Sequence, residues 1–152
     1  MVAAGVIVIL VLAAAATGGM FPPGPWYRAL NRPSWTPPDW VFPTVWTPLY
    51  VMIGYAGWLV WKEANVLAGA LWLAQLVFNG LWSFLFFGRR QMRGALLDLL
   101  LMQSMVLGFI VVTWSTQPLA ALLFVPYAIW VSIAGLLNVR MIQLNPQVRA
   151  AG

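Results

Sequence analysis

Residues 26–50 read WYRALNRPSWTPPDWVFPTVWTPLY, and this stretch decides how the rest of the chain is read. Pro33, Pro37, Pro38, Pro43 and Pro48 fix φ and remove backbone donors, so most of it cannot be a plain helix. Trp26, Tyr27, Trp35, Trp40 and Trp46 set large amphipathic rings at short intervals. A flexible tether would use Gly and Ser instead. The composition predicts a stiff aromatic lid. On both sides of it the sequence turns apolar, in runs near the roughly 20 residues of a bilayer crossing.

The chain of 152 residues is 62% hydrophobic and 7% charged, with a mean hydropathy of +0.86. A soluble domain carries about 25% charged residues, so the expectation is an all-α integral membrane protein. Five transmembrane helices are predicted near 2–20, 41–61, 68–87, 95–114 and 119–144, in a single membrane domain over 1–152. The aromatic, Pro-rich loop joins helices one and two. The first run has no basic residue before it, which reads as a retained helix rather than a signal peptide. Its pairs Ala14/Gly18 and Ala15/Gly19 are spaced for close helix contact.

Five crossings put the termini on opposite sides. Arg28, Arg32, Arg89, Arg90, Arg93, Arg140 and Arg149 fall on one side, against Lys62 on the other. The positive-inside rule therefore places the aromatic loop and C-terminus in the cytoplasm and the N-terminus outside. The same distribution explains the net charge of +5 without a nucleic-acid partner. There is no Cys and no His. Disulfides, thiol chemistry, the usual zinc sites and His-based acid–base catalysis are excluded. The acidic residues Asp39, Glu63 and Asp98 are far apart, and no metal centre is expected.

Helical periodicity sorts the remaining polar and aromatic residues onto faces. Phe42, Trp46, Tyr50 and Gly54 share one face of helix two, where Pro48 should kink the helix unless neighbours satisfy the freed carbonyl. Gln75, Asn79, Trp82 and Phe86 share a face of helix three that should point inward, because an amide at mid-membrane is costly unless hydrogen-bonded. Ala70 and Ala74 lie elsewhere on that helix and suit a helix–helix or dimer contact. Pro126, Trp130, Ala134 and Asn138 step along helix five.

Each of these residues has a structural and a functional reading. Trp46 and Trp130 are either cavity walls or interfacial belt residues, the latter fitting Trp58, Trp61 and Trp114. Asn79 either meets a ligand or bonds between helices. Asp98 either carries a proton or pairs with Arg93 at the membrane edge, the pair being the expectation. Arg28 and Arg32 either attract an acidic ligand or only set topology.

PGPWYRALNRPSWTPPDWVFPTVWTPLY, QLVFNGLWSFLFFG, ALLDLLLM and LFVPYAIWVSIAGLLN, in that order, resemble the TspO/MBR family of tryptophan-rich sensory and translocator proteins, over roughly Trp26 to Asn145. The resemblance implies a five-helix bundle, usually a homodimer, with a loop-capped cavity for porphyrins, haem and aromatic small molecules. Carried over by position, the cavity would use Trp46, Tyr50, Asn79, Trp82, Phe86, Trp130, Ala134 and Leu137, and the lid Trp26, Tyr27, Pro33, Trp35 and Pro38. Two features depart from the family pattern. LLNVRM, with Leu137 and Arg140, lacks the Tyr of the sterol motif, so cholesterol is not carried over; Gly94 stands where some animal members have Trp.

No cofactor is required, and protoporphyrin IX or haem is the implied ligand. Without His, haem would be held by stacking and propionate contacts unless Met or Tyr ligates the iron. The implied function is a tetrapyrrole receptor for sensing, scavenging or transport. The alternatives are light-dependent porphyrin oxidation with Trp46 and Trp130 as redox residues, and lipid, sterol or small-molecule transport. The composition suits a bacterial cell membrane, and the family also admits an outer membrane.

Overall fold

The computed structural model describes residues 2–151, with side chains through Val148. Arg149, one of the basic residues used above for orientation, lies outside the described side chains. The chain forms α1 (Val2–Met20), a single turn α2 (Pro25–Arg28), α3 (Val41–Lys62) and α4 (Val66–Ser83). A π-helical turn (Phe84–Gly88) extends α4, and α5 (Met92–Thr113), α6 (Pro118–Leu144) and a 3-10 segment (Pro146–Ala151) complete it. The five long helices fall within a turn of the predicted spans.

Four of these segments, Val2–Met20, Val66–Gly88, Met92–Thr113 and Pro118–Leu144, are long and apolar enough to cross a bilayer. α3 matches them in length at 22 residues but carries the Trp, Tyr, Thr and Pro of the quoted stretch. Large apolar side chains face outward on every long helix, among them Ile9, Val51, Val77, Leu97, Val111 and Leu136. In water such continuous apolar surface would drive association; in hydrocarbon it is the matched solvent face. The chain is an integral membrane protein.

Each long helix packs chiefly on two neighbours, in the order α1, α3, α6, α5, α4 and back to α1. With lipid outside, this ring is held by shape and interhelical hydrogen bonds rather than by hydrophobic burial. At one end Phe109 stacks on Phe124 at 4.0 Å between ring centroids. Ala14 of α1 lies against Gly80 of α4, where a side chain on Gly80 would stand 3.8 Å from the Ala14 backbone. Asn65 caps α4 by accepting from the Ala68 N–H at 3.0 Å. The tight turns before α4 and α5 put Ala64 (φ 53°) and Arg90 (φ 59°) in the left-handed region.

α3 runs on through Pro48, and α6 through Pro126. Near the first proline, the Thr44 and Thr47 hydroxyls donate back to the Trp40 and Pro43 carbonyls at 2.9 and 2.7 Å.

The expected Asp98–Arg93 pair is not formed. Asp98 is 4% exposed, neither carboxylate oxygen has a hydrogen-bond partner, and Arg93 is exposed. The reason is helical phase. Five residues turn about 500°, which puts the two side chains on different faces, whereas pairs form at i,i+3 or i,i+4. An unpartnered buried carboxyl destabilises the bundle it sits in. Asp98→Leu is expected to raise the thermal midpoint in detergent, with a gain of about 1–3 kcal/mol; a fall would mean that Asp98 holds the helices together.

Candidate ligand cavity

Inside the ring, toward the end where α1 finishes and α3 begins, lies a cavity of about 620 Å³. Trp46 and Tyr50 of α3, Asn79 and Trp82 of α4, and Trp130 and Ala134 of α6 all line it. Tyr27 closes it from the loop, and Leu99 and Met102 of α5 form its back. The i,i+4 spacing of Phe42, Trp46 and Tyr50 does what the periodicity predicts, since all three face inward. Trp46 stacks on Tyr50 at 5.3 Å with 26° between planes. Phe42 meets Trp130 edge-on at 6.0 Å.

The floor is polar and internally satisfied. Tyr50 Oη donates to Asn79 Oδ1 at 2.8 Å, and Asn79 Nδ2 donates to Tyr127 Oη at 3.1 Å. Tyr127, which is fully buried, passes its proton on to Gln75 Oε1 at 2.9 Å. Gln75 Nε2 then donates to the Trp72 carbonyl at 2.9 Å. This network joins α3, α4 and α6, so Asn79 has the interhelical bond and also faces the cavity. A buried network of this kind is rigid when every member is satisfied.

The loop between α1 and α3 is fastened to the end of α6. Asn31 N–H donates to Asn145 Oδ1 at 2.9 Å, and Asn145 Nδ2 donates back to the Asn31 carbonyl at 2.9 Å. Tyr27 and Leu30 are buried with Phe86, Met141 and Ile142 in a second small core. The Arg32 guanidinium lies 5.4 Å from the Tyr27 ring centre. Burial holds the Tyr27 phenol above its ordinary pKa of 10.0; Arg32 pulls the other way, and the Asp39 carboxylate adds a smaller upward push.

Other residues expected at the site stand elsewhere. Pro33 is buried within the loop, Trp35 and Pro38 are on its exposed side, and Trp26 packs edge-on against Phe86 at 6.0 Å. Leu137 lies one turn beyond the last lining residue of α6 and is half-buried. Phe86 is 3% exposed, stacked behind Trp82 at 5.1 Å, and Phe87 lines the cavity in its place. The π-helical turn is the cause: it inserts an extra residue after Ser83, so the inward step from Trp82 is five residues rather than four.

Several lining residues gave no clear signal in sequence. Ala15, Gly18 and Gly19 of α1 belong to the wall. The expected helix contact at the two glycines is absent, because a side chain on either would meet no atom within 4 Å. Pro22, Pro23, Asp39, Pro43 and Thr47 stand at the rim, together with Arg28, one of the two arginines the sequence offers for an acidic ligand. Behind the lining, neither Tyr127, three residues before Trp130, nor Asn145, just ahead of Pro146 at the end of α6, is singled out by the sequence pattern.

A ring of lipid-facing helices around an internal, Trp-walled cavity defines the chain as a polytopic all-α membrane protein. The particular family is shown by comparison: residues 6–144 match the model of the TspO/MBR family, and the chain belongs to it. It is 42% identical to Protein CrtK of Rhodobacter capsulatus, over 88% of this chain and 86% of that one. It is 41% identical to the Translocator protein of Bos taurus, over 84% and 78%. The Tryptophan-rich sensory protein of Cereibacter sphaeroides is 40% identical over 91% and 90%.

Proposed function

We propose that the protein is a membrane receptor or sensor for flat, apolar rings with an acidic edge, of the protoporphyrin IX or haem type. The observation that carries this is the cavity itself. Its 620 Å³ lies in the range of pockets that enclose a drug-sized ligand, and three indoles, Trp46, Trp82 and Trp130, supply rigid aromatic wall. The polar groups are few, with Tyr50 and Asn79 at the floor and Arg28 at the rim, where Asp39 and Thr47 also stand. A flat ring would stack between the walls with its carboxylates toward Arg28. The sensory and translocator names of the relatives support the receptor or sensor part of this reading.

Met102 Sδ lies 3.3 Å from Tyr127 Oη, whose one proton goes to Gln75, and this contact with the buried hub favours stacking over axial ligation of a haem iron. A second reading, light-driven oxidation of the bound ring by dioxygen, is favoured by the Trp46–Tyr50 stack. The excited ring would take an electron from this pair, which can share the hole, and pass it to dioxygen, the reduced oxygen species then oxidising the ring.

Protoporphyrin IX titrated into the purified protein in the dark is expected to give saturable quenching of Trp fluorescence. Trp46→Phe and Trp130→Phe should each weaken binding about two- to tenfold. Stable absorbance under illumination means a receptor, and bleaching that either variant abolishes means chemistry. Absence of saturable quenching at micromolar ligand would overturn the tetrapyrrole reading.

A further inference from the structure

The rim of the cavity carries two opposite charges that form no ion pair with each other. Arg28 ends α2, and Asp39 sits in the turn closed by the Val41 N–H and the Pro38 carbonyl at 2.9 Å. Both line the cavity and both are exposed. They make no ion pair or side-chain hydrogen bond among the described residues. Asp39 does not cap α3 either, although an acid there gains something from the helix dipole. Its charge adds a small upward push on the buried Tyr27 phenol, behind the larger effects of burial and of Arg32. The cavity below is apolar but for its floor.

We propose that Asp39 is a specificity-determining residue that sets how much negative charge a ligand can bring to this cavity. The inference rests on the tetrapyrrole reading above and adds a rule to it. An acidic ring gains at Arg28 and loses at Asp39, so ligands whose carboxylates cluster on one edge, turned to Arg28, are accepted. Rings with carboxylates all around the rim must place some of them against Asp39 and are disfavoured. The charge at position 39 thus sorts ligands that the Trp walls alone would treat alike, because stacking does not distinguish them.

A charge ladder tests this with the full chain in nanodiscs of zwitterionic lipid. The probes are protoporphyrin IX dimethyl ester, protoporphyrin IX and coproporphyrin, carrying no, two and four carboxylates. Asp39→Asn is expected to tighten protoporphyrin IX about two- to fivefold, the scale of an exposed charge interaction, and coproporphyrin by more. The ester should bind as to wild type. Arg28→Gln should weaken both acids and spare the ester. Raised salt should shrink each difference. An Asp39→Asn effect equal on all three probes, or no effect on the acids, overturns the rule while leaving the receptor intact. Failure of every probe to saturate wild type overturns the tetrapyrrole reading, and the rule with it.

Discussion

Gly57→Ala is expected to destabilise the bundle by about 2–4 kcal/mol, the sum of overpacking and a weakened buried hydrogen bond. A methyl at this position would overlap Cε2 of Trp72 and stand 2.6 Å from both its Cζ2 and Nε1. The indole cannot simply swing away. It is 6% exposed, and its Nε1 donates to the Ile53 carbonyl at 2.8 Å, one turn before Gly57 on the same helix. The glycine is therefore the notch that lets α4 lay a Trp flat on the α3 backbone. Thermal unfolding in detergent checks it, with Gly69→Ala as control, since a side chain at Gly69 meets nothing within 4 Å. Equal midpoints for the two variants would refute the notch. Trp72→Phe removes both the ring atoms in the way and the N–H, so the double variant should lose less than the two single losses added together.

That notch illustrates what could be read from sequence. Helix number, span and inward faces were legible because a membrane protein separates its side chains sharply: Val51 and Val77 go to lipid, while Gln75 and Asn79 go inside. Periodicity alone then placed Trp46, Tyr50, Asn79 and Trp82 on the cavity. It failed where the backbone left the α period. The π-helical turn exchanged Phe87 for Phe86, and nothing in FLFFG distinguishes the two rings. Glycines are ambiguous for a related reason. The spacing of Gly18 predicts a helix contact, yet Gly18 opens on the cavity, whereas Gly57, which no spacing singles out, is pressed by an indole. Spacing says that a small residue is present; only the neighbouring helix says whether it makes room for packing or for a ligand. The Asn31–Asn145 clasp joins residues 114 apart, a distance over which local pattern carries no information.

Tyr127→Phe should reveal how far the cavity floor and the fold are one object. The hydroxyl is the hub of the floor, accepting from Asn79 and donating to Gln75 within a site that excludes solvent. Deleting it changes little volume but leaves the Asn79 Nδ2 and Gln75 Oε1 without these partners. An orphaned buried group costs about 1–3 kcal/mol, so two in one network place the expected loss at about 2–4 kcal/mol, less whatever re-pairing the amides achieve. Gln75 and Asn79 are i,i+4 on α4, close enough for such a rescue. If it occurs, stability is largely retained, but Asn79 turns away from the Tyr50 hydroxyl and from the cavity, and ligand affinity falls instead. The two outcomes separate cleanly. A drop in thermal midpoint with ligand affinity unchanged makes Tyr127 a structural hub. A retained midpoint with weaker binding makes it a positioning residue for Asn79. Adding Gln75→Leu removes the acceptor that Tyr127→Phe strands, so the double variant should recover part of the lost midpoint. No change in either quantity would show that the Tyr127 hydroxyl holds neither the helices nor the floor.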